Sequence, residues 1–357
     1  MWIYVYAGTF LSGLGFSLLL VPFMMRFATF FGILDYPSSR KIHSLPTPLL
    51  GGFAIFFAIL LTVLFGLTGI RLNPEMLSLY SEGIARTTPS LLLFLLTSAL
   101  VVAVGALDDL YCLSPWKKLL FQILCGIVTW SAGFKISLFL PLPFFSLLIT
   151  TGWIVLCMNI FNLLDHMDGL AAGVALVSGL LFFLFSAFHG HLFIATLLAC
   201  FLGSVAGFLW YNFPPASIFL GESGSSLLGY VLGTISIMAT YYRYGESQSL
   251  LPIVIPLLIF ALPLYDTVSV VAIRMKERRP LFQGDTSHLS HRLIRLGMSR
   301  KQAVLFSYLL VLSCGLGALS FVKLNGKEGF FVLFQTFFVL ACVALLERVA
   351  RNSKERE

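Results

Sequence analysis

Four polar segments interrupt an otherwise apolar chain, and each holds residues that could bind a cation or a phosphate. The first is the adjacent pair Asp108–Asp109, placed just after the apolar run 90–107. A carboxylate at a span centre costs about 2.5–3.5 kcal/mol, and a neighbouring carboxylate adds repulsion unless a cation or proton relieves it. One acid would suffice to cap a helix beside Lys117 and Lys118; two point to a divalent cation or phosphate chemistry. The second segment runs Asn159-Ile-Phe-Asn162-Leu-Leu-Asp165-His166-Met-Asp168-Gly169. Steps of three residues fall about 60° short of a full helical turn, so its polar groups wrap half the circumference and cannot all face lipid. Such a stripe ends a helix in a polar cleft, with Gly169 suited to a chain reversal; polar packing between helices is the plainer alternative.

The third segment, Phe219-Leu-Gly221-Glu222-Ser223-Gly224-Ser225, opens another apolar run. Small residues such as Ser223 and Gly224 at a helix start present backbone N–H groups to a phosphate, and Glu222 could bring a metal to the same place. Further on, Asp285-Thr-Ser-His288-Leu-Ser-His291-Arg292 sets two imidazoles and a guanidinium beside an acid. Arginine binds diphosphates in bidentate fashion. A zinc site lacks an obvious third ligand at this spacing, and a solvated basic loop is the alternative for the charges.

The elements that must position these groups are membrane helices. The 357 residues are 58% hydrophobic and 11% charged, against about 25% charged in an average soluble domain. That composition excludes a soluble enzyme, a disordered chain and a nucleic-acid binder with a basic groove. Reading runs of about 20 apolar residues predicts an all-α, polytopic fold of eleven spans, or ten if short ones merge. They lie near 3–25, 49–69, 90–107, 117–133, 143–161, 168–187, 191–209, 224–241, 250–273, 303–322 and 329–346. Pro252, Pro256 and Pro263 suggest that the ninth is bent.

With the N-terminus outside, 17 of the 23 Lys and Arg residues fall on the cytoplasmic side, which is the bias expected of inner loops. Residues 1–25 read as a first span, not a cleaved leader. The six cysteines form no CxxC pair and suit ordinary membrane packing. The whole chain, 1–357, reads as a single domain with a cytoplasmic tail from about 347, where Glu347, Glu355 and Glu357 are expected to be solvated.

Taken in order, these blocks resemble the polyprenyl-phosphate N-acetylhexosamine-1-phosphate transferases, in particular their WecA-like branch. The likeness runs from Asp35-Tyr-Pro37-Ser-Ser-Arg40-Lys41-Ile-His43 and Gly51-Gly52, through Asp108-Asp109 with Lys117 and Gln122, to 159–171, 214–229 and Pro263-Leu-Tyr-Asp266, and ends with Asp285, His288, His291 and Arg292. Four departures stand out: Glu222 replaces the usual Asp, His166 stands where glycine is common, Ser290 where histidine is common, and Leu49 where a basic residue is usual after Pro48.

The resemblance implies transfer of sugar 1-phosphate from a UDP-N-acetylhexosamine, foremost UDP-GlcNAc, to polyprenyl phosphate, with release of UMP. It implies Mg²⁺, with Mn²⁺ as an alternative ion, held by Asn162 and Glu222. Asp108, Asp109, Asp165, Asp168 and His291 are the implied catalytic residues. Lys41, His43, Lys117, Asp266, His288, Arg292, Ser223 and Gly224 are the implied substrate-binding residues. The expected partners are the sugar nucleotide, the polyprenyl lipid and membrane lipid, with a homodimer as an available assembly and no nucleic acid. The expected location is the bacterial inner membrane, with the site on the cytoplasmic face. Two other classes compete: an ion-coupled transporter, whose acids typically gather at the bilayer midplane, and a non-catalytic envelope scaffold.

Overall fold

The computed structural model describes residues 2–36, 45–72, 74–136, 142–239, 254–279, 287–319 and 326–354. Among them the chain forms α1 (Trp2–Phe31), α2 (Gly51–Arg71), α3 (Pro74–Tyr111), α4 (Pro115–Ser131), α5 (Pro143–Leu164), α6 (Leu170–Phe188) and α7 (Leu192–Asn212). It continues with α8 (Gly221–Ala239), α9 (Ile255–Ile259), α10 (Ala261–Lys276), α11 (Leu289–Arg295), α12 (Arg300–Gly315) and α13 (Gly326–Lys354). A two-residue ribbon pairs β1 (Leu34–Asp35) antiparallel with β2 (Thr47–Pro48).

Among the described residues, eight helices are long and apolar enough to cross a membrane. They are α1, α2, α3 from Ser81, α5, α6, α7, α12 with its extension to Leu319, and α13. Three of the expected spans fall outside this group, each for a physical reason. Helix α4 has only 17 residues, and α8 begins with the polar run Gly-Glu-Ser-Gly-Ser-Ser. The ninth is broken at Phe260 into α9 of 5 residues and α10 of 16. Pro263 supplies the cause: it has no N–H to donate, and its ring crowds the carbonyl four residues back, at Ile259.

Large apolar side chains fill the centre, with Phe161, Phe182, Phe201, Phe208, Tyr230 and Phe260 fully buried. Phe330, Phe334, Phe337 and Phe338 of α13 remain exposed, as expected of a face solvated by lipid.

Small residues let backbones touch where the site is built. A Cβ at Gly13 of α1 would lie 2.8 Å from the Cys200 carbonyl of α7. A Cβ at Gly52 of α2 would overlap the Gly224 backbone, and one at Gly105 of α3 would overlap that of Ser223. The start of α8 is therefore wedged between α2 and α3. Backbone bonds hold it there: Phe219 N–H donates to Pro48 O at 2.8 Å, and Gly51 N–H donates back to Phe219 O at 3.1 Å.

Candidate active site

One end of the helix bundle gathers the end of α3, the starts of α4 and α8, and the end of α5. Asp108 and Asp109 sit on the last turns of α3 and face different partners. Asp108 is buried; it accepts from Leu113 N–H at 2.7 Å and forms an ion pair with Lys118 of α4. Asp109 caps α8, accepting from Glu222 N–H at 2.8 Å and Ser223 N–H at 3.3 Å. A carboxylate at a helix N-terminus is favoured by the unpaired N–H groups and the helix dipole. Gly221 holds φ at +70 just before this cap, a conformation glycine adopts without strain.

Glu222 then projects toward α4 and α5. Its Oε1 pairs with Lys118 Nζ at 3.0 Å, and its Oε2 accepts from Asn162 Nδ2 at 2.6 Å. One turn earlier on α5, Asn159 donates to Gln122 of α4 at 2.7 Å. Lys118 thus bridges Asp108 and Glu222 with one ammonium.

Helix α5 ends at Leu164, and the turn 165–169 reverses the chain, with Gly169 at φ 73 opening α6. Gly169 N–H donates to Asn212 at 3.0 Å, and Asp168 accepts from Ala216 N–H at 3.1 Å. Both bonds fasten the turn to the segment leading into α8. Asp165 is half-buried. Burial, reinforced by Glu222, Asp109 and Asp168, holds its carboxyl well above the usual carboxylate range.

The histidine block docks on the other side of that turn. The His166 and His288 rings stack with centroids 4.1 Å apart, and His291 lies 5.0 Å from His166. His288 Nδ1 donates to Asp266 at 2.9 Å, and Leu289 N–H donates to the same carboxylate at 2.6 Å. Arg292 reaches Ser269 Oγ at 2.7 Å and Asp266 at 3.4 Å. The two clusters meet at the end of α5: Asn162 faces the carboxylates and His166 the imidazoles.

The profile of glycosyl transferase family 4 matches residues 91–240, the stretch that carries Asp108, Asp109, Asn162, Asp165 and Glu222. Across the chain, the "Probable undecaprenyl-phosphate N-acetylglucosaminyl 1-phosphate transferase" of Bacillus subtilis (strain 168) is 30% identical over 335 residues, 92% of this chain and 88% of the relative. The chain belongs to glycosyl transferase family 4. The "Decaprenyl-phosphate N-acetylglucosaminephosphotransferase" of Mycolicibacterium smegmatis is 29% identical over 350 residues, 90% of this chain and 83% of the relative. The "Undecaprenyl-phosphate alpha-N-acetylglucosaminyl 1-phosphate transferase" of Escherichia coli (strain K12) is 26% identical over 356 residues, covering 95% and 91%.

Not every family 4 position named from sequence sits where its expected role would put it. Asp108, Asp109, Asn162, Asp165 and Glu222 are brought together, as are Asp266, His288, His291 and Arg292. Lys117 is exposed, whereas Lys118 enters the carboxylates. Spacing carries the missed signal: Lys118 is one turn before Gln122, so both lie on the α4 face that meets α5. Ser223 and Gly224 do not form an open phosphate cradle. Both are buried, the Ser223 N–H is already given to Asp109, and the small side chains serve the close approach to α2 and α3. Arg292 is occupied by protein acceptors on α10. Lys41, His43 and Asp285 lie outside the described residues.

The expected solvated tail also differs at its first acid. Helix α13 continues to Lys354, and the Glu347 side chain is only 11% exposed, 3.0 Å from Arg292.

Among the described residues, no three His, Cys, Asp or Glu side chains form a ready metal cage. Mg²⁺ does not require one. It binds through one or two carboxylates together with substrate phosphates and keeps several waters. Asn162, Glu222, Asp108 and Asp109 carry side-chain oxygens of the kind that ion takes and no thiolate or imidazole of the kind zinc prefers; both Glu222 oxygens are engaged here, by Lys118 and by Asn162 Nδ2.

Proposed function

We propose that this chain transfers N-acetylglucosamine 1-phosphate from UDP-GlcNAc to a polyprenyl phosphate, giving a polyprenyl-diphosphate sugar and UMP. The observation that carries this reading is the meeting of Asn162 and Glu222 beside Asp108 and Asp109 at one end of the bundle. It gains support from the sugar-phosphate transferase names of the relatives. The eight apolar helices, with α4, α8 and the broken α9–α10, make up the eleven spans proposed. The excess of basic residues supports an inside C-terminus and a site on the cytoplasmic face of a bacterial inner membrane, where the sugar nucleotide is found.

The reaction forms a bond between an oxygen of the lipid phosphate and the β-phosphorus of the donor, while the bridging oxygen leaves with UMP. Phosphoryl transfer needs positioning and charge stabilisation more than covalent chemistry by the protein. A phosphate monoester is substantially dianionic near neutral pH, so it attacks without a protein nucleophile, and direct displacement is the route proposed. Asn162 and Glu222 would hold Mg²⁺ (or Mn²⁺), which when bound neutralises charge on the diphosphate. Asp109 fixes the start of α8 and with it the position of Glu222. Asp108 holds Lys118 next to Glu222, leaving an ammonium at the phosphate end of the site. Asp165 and Asp168 shape the turn that receives the nucleotide, and His288 and His291 border the diphosphate.

Purified protein in detergent, given UDP-GlcNAc, undecaprenyl phosphate and Mg²⁺, is expected to release UMP only when lipid and metal are both present. A transporter would release none, and a scaffold would likewise be silent while folded.

A further inference from the structure

We propose that Glu347, on the last helix, is a positioning residue for the donor site, acting through Arg292 to hold the histidine block over the 165–168 turn. The inference rests on the transferase reading above. Glu347 Oε2 lies 3.0 Å from Arg292 Nη1 and accepts from the Tyr265 hydroxyl at 3.0 Å. The other terminal nitrogen of the same guanidinium, Nη2, donates to Ser269 Oγ at 2.7 Å and reaches Asp266 Oδ1 at 3.4 Å. Arg292 is therefore clamped from two sides by carboxylates on different helices, α10 and α13.

The clamp matters because α11 is short. Seven residues are too few to hold a helix in place by themselves, so its attachments decide where His288 and His291 point. Asp266 fastens its first turn through His288 and Leu289 N–H. Glu347 fastens its middle through Arg292. Removing Glu347 leaves a half-buried guanidinium with one carboxylate instead of two and frees α11 to roll about its first turn. Both side chains are little exposed, 13% for Arg292 and 11% for Glu347, so water replaces the lost contact poorly. His288 and His291 are the groups assigned above to the donor diphosphate, so the effect should fall on the sugar nucleotide rather than on the lipid acceptor.

The test is steady-state UMP release by wild type, Glu347→Gln and Glu347→Asp in detergent, titrating UDP-GlcNAc and undecaprenyl phosphate separately. Glu347→Gln should raise the KM for UDP-GlcNAc about tenfold, in keeping with loss of a charge-assisted contact. The KM for the lipid should stay unchanged, and Glu347→Asp should recover part of the loss. Tyr265→Phe, which removes only the hydroxyl that steadies Glu347, should move the donor KM in the same direction by less; it serves if Glu347→Gln does not fold. Equal loss for both substrates, or wild-type behaviour of both Glu347→Gln and Tyr265→Phe, would overturn the positioning role. If wild type itself releases no UMP, the transferase assignment fails and the positioning role falls with it.

Discussion

His166 and Ser290, 124 residues apart in sequence, are joined by a 2.6 Å hydrogen bond between Nε2 and Oγ. The direction of that bond is fixed by the other ring nitrogen. Nδ1 lies 2.8 Å from the Leu163 carbonyl, which can only accept, so Nδ1 carries the proton and Nε2 accepts from the serine hydroxyl. Both positions are among the four at which the sequence departs from the resemblance noted above. The two touch: the imidazole rises from the 165–169 turn, and the serine hydroxyl meets it.

A double-mutant cycle tests this pairing. His166→Gly and Ser290→Ala should each destabilise the protein, and the double variant should cost less than their sum by on the order of 1 kcal/mol. Unfolding of the detergent-solubilised variants measures it. Strict additivity would mean that the two departures are unrelated.

The same histidine makes stability depend on pH. Burial, with His288 stacked beside it, pushes the His166 imidazole down to about 3. Between the ordinary imidazole range and that value the unfolded chain binds a proton that the folded chain refuses. Stability is therefore lost as pH falls from about 6.5 toward 3. The loss in melting temperature between pH 7 and pH 5 should be smaller in His166→Gly.

Asp165 works in the opposite sense. Its carboxyl is raised in the fold, so the folded chain retains a proton that the unfolded chain has released, and stability falls as pH rises above the ordinary carboxylate range. Asp165→Asn should raise the melting temperature of the metal-free protein at neutral pH while lowering UMP release about a hundredfold. A variant neither more stable nor less active would show that Asp165 is not held against its charge for function.

Lys118, not Lys117, should matter for turnover. Lys118→Met removes the ammonium between Asp108 and Glu222 and is expected to lower kcat/KM about a hundredfold, whereas Lys117→Ala should stay within about twofold, as for a surface change. Equal effects in the two variants would contradict the observed placement.

The acids were legible in the sequence because charge beside hydrocarbon is costly, so each position carries information: Asp108, Asp109 and Glu222 do meet. The prolines likewise marked the break at Phe260. What could not be read was which helix ends touch. The burial of Ser223 and Gly224 depends on Gly52 and Gly105 of other helices, and Glu347 looks like a tail residue until α13 is seen to run on past it beside Arg292. Lys117 and Lys118 differ only by a turn of about 100° on one helix, and composition does not see that angle.

The central claim is that the bond broken lies between the two donor phosphates. The most direct measurement gives the protein undecaprenyl phosphate, Mg²⁺ and UDP-GlcNAc labelled in its β-phosphate, then follows the label. Label appearing in the lipid product, matched by UMP in solution and abolished by Glu222→Ala, is the predicted result. Label leaving in solution as UDP, or lipid product formed equally well by Glu222→Ala, would contradict the account.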